Sequence, residues 1–270
     1  MSPDESVPRL LASDLDGTLL NAQSLVSVRT TAAVRSARDT GIEVVAATGR
    51  SHRTASPLLA PTGAFRWAIC SNGATLFDIE TQAVVAHNFL DHGIARAVAT
   101  LADALPGAGF AWETPEGLFR DETMAAIIAA RYGNDPWAQQ GEPPLQESTH
   151  HLVKVLLGHS AYDLDELLAA AIPLLDPSLE VSSSGAAFIE ITASGSEKGR
   201  ALERLCADLG VERADTVAFG DQINDLGMLA WVDRGFAMAN AHPDVLAVTP
   251  HRAPHHDEDG VAQIIESFLS

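Results

Sequence analysis

Arg9-Leu10-Leu11-Ala12-Ser13-Asp14-Leu15-Asp16-Gly17-Thr18-Leu19-Leu20 is a short apolar run that ends in two acids and a glycine. An apolar run without polar alternation reads as a strand covered on both faces, as strands of parallel sheets are. Asp-Gly then marks a turn. Asp14 and Asp16 stand two apart, and in extended chain such residues face the same side. The stretch predicts a buried strand that delivers a pair of carboxylates at its carboxyl end.

The same pattern recurs along the chain. Residues 42–47 form an apolar run, broken only by Glu43, that ends at Thr48-Gly49-Arg50, and residues 67–71 one that ends at Asn72-Gly73. Residues 216–219 lead to Gly220-Asp221, and residues 236–238 lead to Asn240. Helical spacing fills intervals such as 27–40, which stops at Gly41, and 199–210. Strands alternating with helices predict an α/β fold, a Rossmann-like doubly wound parallel sheet. In such sheets the reacting groups gather beyond the carboxyl ends of the strands, where all five runs carry polar residues.

The middle of the chain reads otherwise. It predicts a hairpin over 75–89, helices over 91–105, 123–132 and 163–174, and strands over 108–119, 152–157 and 179–191. An irregular, proline-bearing stretch lies at 137–149. The expectation is a catalytic core of residues 1–83 and 191–270, with an α+β domain, residues 84–190, inserted in it.

Composition narrows the function classes. The 270 residues carry a net charge of −19, with 46% hydrophobic and 20% charged residues, which is the make-up of a folded globular chain. Such acidity repels phosphate backbones and anionic lipid, so no nucleic acid and no membrane partner is expected. Apolar runs fall short of the ~18 residues of a membrane helix, and the acidic start lacks the marks of a secretory signal, which implies a cytoplasmic protein. Cys70 and Cys206 lie in apolar stretches and read as buried structural thiols. His150-His151 and His255-His256 have no Cys or His partner at zinc spacing and read as solvated loops. Fifteen arginines accompany only two lysines, Lys154 and Lys198. Lys198 stands at the start of a helix, where a cation opposes the helix dipole unless an anion is near.

Four clusters carry chemistry. In Asp14-Leu15-Asp16-Gly17-Thr18 one carboxylate can attack while the other handles a proton. Thr48-Gly49-Arg50 offers a hydroxyl and amides to an anionic oxygen, and Lys198-Gly199 offers an ammonium. Asp221, Asn224 and Asp225 are the oxygen-bearing side chains that Mg²⁺ takes. Together they describe a Mg²⁺-assisted phosphoryl site.

These four segments resemble, in order, the four motifs of the haloacid dehalogenase (HAD) superfamily phosphohydrolases. Ser71-Asn72-Gly73-Ala74, Ala237-Met238-Ala239-Asn240-Ala241 and Glu258-Asp259-Gly260-Val261-Ala262 are similar to its Cof-type branch with the C2B cap, although Ala239 stands where that branch often has glycine. The resemblance implies that Asp14 is the nucleophile and Asp16 the acid and base. It implies that Thr48, Gly49, Lys198 and Asn224 bind phosphate. It also implies that Asp14, the Asp16 carbonyl, Asp221 and Asp225 surround Mg²⁺. The implied substrate is a small phosphorylated metabolite, with sugar phosphates foremost. A monomer or weak dimer is expected. Arg120 and Ser184, in the inserted segment, are the candidates for substrate specificity. A phosphomutase on the same core and a non-catalytic phosphometabolite sensor are the alternatives. The ~30 residues between the first two motifs leave no room for the small cap of the mutases, and a sensor need not keep a nucleophile.

Overall fold

A computed structural model describes residues 7–91, 93–133, 138–140, 151–184 and 188–270. The chain divides into two compact units, one of residues 1–86 and 197–270, the other of residues 87–196. Residue 150 and most of the expected irregular stretch, 137 and 141–149, lie outside the described residues.

The larger unit contains, in chain order, β1 (Leu10–Ser13), α1 (Val28–Asp39), β2 (Glu43–Ala47), α2 (His52–Leu59), β3 (Trp67–Cys70), β4 (Thr75–Asp78) and β5 (Ala83–His87). The smaller unit follows with α3 (Ile94–Ala104), β6 (Ala108–Glu113), β7 (Leu118–Arg120), α4 (Glu122–Tyr132), β8 (Ala138–Gln140), β9 (Lys154–His159), α5 (Leu164–Ala171), β10 (Leu179–Ser182) and β11 (Phe188–Ala193). The chain then completes the larger unit with α6 (Lys198–Leu209), β12 (Thr216–Gly220), α7 (Leu226–Trp231), β13 (Arg234–Met238), α8 (Pro243–Val248), β14 (His251–Ala253) and α9 (Gly260–Leu269).

The larger unit is built on an eight-stranded sheet of order β14-β13-β12-β1-β2-β3-β4-β5. From β14 to β3 every pairing is parallel, and β4 joins β3 antiparallel. β1 shows why the run at residues 10–13 must be a strand. All four residues are buried, with Leu11 in the core of α1, α2 and α9 and Leu10 and Ala12 in that of α6, α7 and α8. Alternate side chains thus enter opposite layers, and each fully buried leucine contributes about 1.5–3 kcal/mol. Cys70 and Cys206 are free buried thiols in these two separate layers. Burial pushes the Cys206 thiol up to about 11, away from reactivity.

The smaller unit is a six-stranded sheet of order β10-β11-β9-β6-β7-β8, antiparallel except for β7 with β8. Helices α3 and α5 cover one face and α4 packs on the other. A Cβ on Gly109 of β6 would stand 2.5 Å from the Met124 nitrogen, so only glycine lets α4 lie this close.

The contact division between the units falls at 86/87 and 196/197, a few residues beyond the expected 83/84 and 190/191. β5 belongs to the larger sheet, and β11 continues its pairing with β10 to Ala193. Residues 138–140 of the expected irregular stretch form β8, because Leu118 and Phe119 of β7 supply a partner for Ala138 and Gln139. Strand β14, beside β13, was not foreseen either; its three residues are too short for a pattern.

Candidate active site

The site grows from the sheet order. β1 lies between β12 and β2, all parallel, so their carboxyl ends emerge side by side. Asp14, Thr48 and Asp221 are the first residues beyond strand pairing or nearly so, and the Asp14 N–H still donates to the Phe219 carbonyl at 3.0 Å. Strand β1 enters the sheet where its direction of build-out reverses, the position at which open α/β sheets bind ligands.

Gly17 turns the chain with φ +79°, and a Cβ there would lie 2.5 Å from Asp221 Oδ2. The turn is therefore seated directly on Asp221. Thr18 Oγ1 confirms the seat by donating to Asp221 Oδ1 at 2.8 Å. On the other side Gly220 leaves room for the Asp225 side chain to fold over it, since a Cβ there would stand 2.6 Å from the Asp225 Cβ. Asp225 Oδ2 then accepts from the N–H groups of Asp221 and Gln222, both at 3.0 Å.

Lys198 opens α6 and is 1% exposed. Its Nζ donates to Asp14 Oδ1 and Asp225 Oδ1, each at 2.6 Å. These two carboxylates are the anions that a lysine at a helix start requires. Gly199 makes the position possible, since a Cβ there would stand 2.6 Å from the backbone of Gly227 in α7.

Asp14, Asp221 and Asp225 offer carboxylate oxygens within 4.8 Å of one another, all buried. Burial, reinforced by Asp225 and Asp221, pushes the Asp14 carboxyl well above the usual range against the pull of Lys198. Burial and Asp225 push Asp221 up to about 6, while the Thr18 and Gln222 hydrogen bonds oppose the shift. Burial alone would lower Lys198, but Asp14 and Asp225 hold it charged, above the ordinary lysine range. One ammonium offsets only one of three buried negative charges, and all the donors are hard oxygens. The set therefore suits a divalent cation of the Mg²⁺ type.

Asp16 stands apart from this cluster. Its side chain is half exposed and gripped at both oxygens by Arg50, Nε to Oδ2 at 2.6 Å and Nη2 to Oδ1 at 2.5 Å. Thr48 is buried, and its Oγ1 accepts from the Arg50 N–H at 3.1 Å, which leaves the hydroxyl hydrogen to give. Gly49 lies between them in the same loop. Asn224 Nδ2 donates to Asn72 Oδ1 at 3.1 Å, while Asn224 Oδ1 is buried with no hydrogen-bond partner among the described residues. Arg120 and Ser184 belong to the smaller unit: Arg120 is buried at the end of β7, and Ser184 Oγ donates to Glu190 Oε1 at 2.9 Å.

Sequence reasoning gave no role to Arg50, Thr18, Asn72 or Gln222. Arg50 and Asn72 lay within quoted strand-end clusters, but their partners are 34 and 152 residues away and no spacing rule reaches them.

The comparisons agree with this geometry. Residues 11–265 match the family model described as haloacid dehalogenase-like hydrolase. Phosphatase YwpJ of Bacillus subtilis is 29% identical, with 97% of this chain and all of that protein covered. The 5-amino-6-(5-phospho-D-ribitylamino)uracil phosphatase YwtE of the same organism is also 29% identical, over 97% of this chain and 98% of that one. A solved haloacid dehalogenase-like hydrolase from B. subtilis superposes with a TM-score of 0.83 at 26% identity, covering 96% of this chain and 99% of its own. Among the described residues no helix is long and apolar enough to cross a membrane. The chain belongs to the haloacid dehalogenase-like hydrolase family, and within it to the Cof-type phosphatases.

Proposed function

We propose that this phosphatase is Mg²⁺-dependent and hydrolyses small phosphorylated metabolites, sugar phosphates foremost, through an aspartyl phosphate on Asp14. The observation that carries the reading is the buried Lys198 ammonium, 2.6 Å from both Asp14 and Asp225. A dianionic phosphate cannot approach a carboxylate nucleophile without cations placed in advance.

In the first half-reaction an Asp14 oxygen bonds to phosphorus as the ester P–O bond breaks, and Asp16 gives its proton to the leaving oxygen. For that step Asp16 must leave the Arg50 fork, which occupies both of its oxygens. In the second half Asp16 takes a proton from water, the water oxygen bonds to phosphorus, and the Asp14–phosphorus link breaks to release phosphate. The Thr48 hydroxyl, the Gly49 amide and Lys198 hold phosphate oxygens, and Asn224 contacts phosphate or leaving group. Asp14, Asp221 and Asp225, with the Asp16 main-chain carbonyl, would hold Mg²⁺. When bound, the ion neutralises charge on the phosphate.

The groups assigned to phosphoryl transfer all lie in the larger unit. We assign to the smaller unit, residues 87–196, the selection of substrate, with Arg120 and Ser184 as candidate contacts. The relative named for a phosphorylated ribityl compound supports a polyhydroxylated phosphate ester as the substrate class. We place the enzyme in the cytoplasm as a monomer or weak dimer, and its net charge of −19 disfavours nucleic acid and anionic membrane partners.

Phosphate release from a panel of phosphorylated metabolites, with and without chelator, tests the reading. Asp14→Asn should lose at least about 10³-fold in turnover, because the nucleophile itself is removed. Near-normal turnover of Asp14→Asn, or full activity after exhaustive metal removal, would refute it.

A further inference from the structure

Two segments of the chain take no part in this chemistry, yet both fold back on the turn that carries Asp16. Asn240 follows β13, and its Nδ2 donates to the Gly17 main-chain carbonyl at 2.8 Å. Its Oδ1 accepts from the His256 N–H at 3.1 Å. The amide is thus held at both ends. The His256 ring reaches further along the turn, with Nδ1 2.8 Å from the Leu20 carbonyl oxygen. A carbonyl only accepts, so this nitrogen carries the hydrogen. Asp257 Oδ1 accepts from the Ala22 N–H at 2.7 Å. Asp259 Oδ1 accepts from the Ser27 hydroxyl at 2.5 Å, at the start of α1.

The opposite side of the turn rests on Asp221, through the Thr18 hydroxyl and the bare Cα of Gly17. The turn is therefore held between the acidic cluster and the loop 255–259. His255, His256 and Asp257 are close enough together to hold a metal. Their hydrogen bonds assign them elsewhere, since His255 Nδ1 accepts from the Asp257 N–H at 3.2 Å and His256 Nδ1 serves Leu20.

We infer that Asn240, with His256 behind it, is a positioning residue of the phosphoryl site: it sets how the Asp16–Gly17–Thr18 backbone stands against Asp221. This inference rests on the phosphatase reading above. Misplacing reacting groups by about 1 Å can cost about 10²-fold in rate, so a single main-chain hydrogen bond at this turn governs kcat more than it governs folding.

Asn240→Asp isolates the contact. It keeps the size and the acceptor for the His256 N–H, and it sets an oxygen against the Gly17 carbonyl where a donor stood. His256→Phe keeps a ring and removes only the donor to Leu20. The expected result for Asn240→Asp is a kcat at least about tenfold lower on a generic aryl phosphate, with KM within about threefold. The Mg²⁺ concentration that gives half of the metal-induced rise in Tm should increase severalfold, while the Tm in chelator moves by a few degrees at most. His256→Phe should change both readings in the same direction by less. Wild-type kcat and Mg²⁺ midpoint in a folded Asn240→Asp would overturn the inference. If that variant does not fold, the same wild-type values in His256→Phe would overturn it. Asp14→Asn, measured alongside, separates the two levels: retained turnover there removes the phosphatase reading, whereas its loss beside unaffected Asn240 and His256 variants removes only this inference.

Discussion

Replacing Lys198 with methionine would leave Asp14, Asp221 and Asp225 buried together with no cation among them. Each Lys198 contact is 2.6 Å long, a gross attraction of about 6 kcal/mol at an effective dielectric constant of about 20. Desolvation of the ammonium returns much of that, and removing one partner of a buried pair costs about 3–5 kcal/mol net. For a unit of this size the loss corresponds to a fall in Tm of about 6–20 °C. The deficit has a pH signature. The lysine, raised above its ordinary value, is charged throughout pH 5–9, so its own titration adds no slope there. Asp14 and Asp221, already raised above the usual carboxyl range, lose the downward pull of Lys198 and rise further, so the destabilisation is complete at high pH and is relieved as protons enter on acidification. Thermal unfolding of both proteins in chelator at pH 8 and pH 5 is the assay, with a saturating Mg²⁺ arm in which the gap should narrow. Turnover should drop by about 10²–10³-fold, as when a preorganised electrostatic group is removed. A variant with the wild-type Tm at pH 8, or a gap that does not shrink at pH 5, would refute the reasoning that Lys198 neutralises this cluster.

The other predictions address neighbouring contacts. Gly199→Ala puts a Cβ 2.6 Å from the Gly227 backbone, so α6 must shift and carry Lys198 with it; a loss of about 1–3 kcal/mol with reduced kcat is expected, and wild-type Tm and kcat would contradict it. Arg50→Met should change stability by less than about 1 kcal/mol, because the pair is 30% and 50% exposed. By freeing Asp16 from the fork that occupies both of its oxygens, it should favour alkyl phosphates, whose leaving oxygen needs a proton, relative to p-nitrophenyl phosphate, and a larger loss on alkyl phosphates would count against the need for Asp16 to leave Arg50. In metal-free solution Asp221, which titrates at about 6 when folded and at ~4 when unfolded, should contribute about 2–3 kcal/mol of added stability as pH falls from 8 to 4, read as the difference between the wild type and Asp221→Asn. Saturating Mg²⁺ should flatten that slope, and a flat metal-free difference would show that Asp221 carries no such strain.

The parallel core was legible in the sequence because the apolar runs at 10–13, 43–47 and 216–219 lack alternation, which only a sheet covered on both faces tolerates. The polar residues at their ends were equally legible, since strand direction alone places them on one edge. The scarcity of lysine also pointed to Lys198. Tertiary structure decided what periodicity cannot carry. Both lysines of the chain are buried between two carboxylates, Lys198 between Asp14 and Asp225 and Lys154 between Glu113 and Glu190, but their partners lie 27 to 184 residues away in the case of Lys198. The grip of Arg50 on Asp16 and the hold of Asn240 on Gly17 join loops that only the strand order β13-β12-β1-β2 brings together. Local sequence sets residue type and periodicity, and so determines strands, helices and the chemistry at their ends. Which of those ends become neighbours is settled by burial of the whole sheet between its helices, a property of the folded chain that no short window contains.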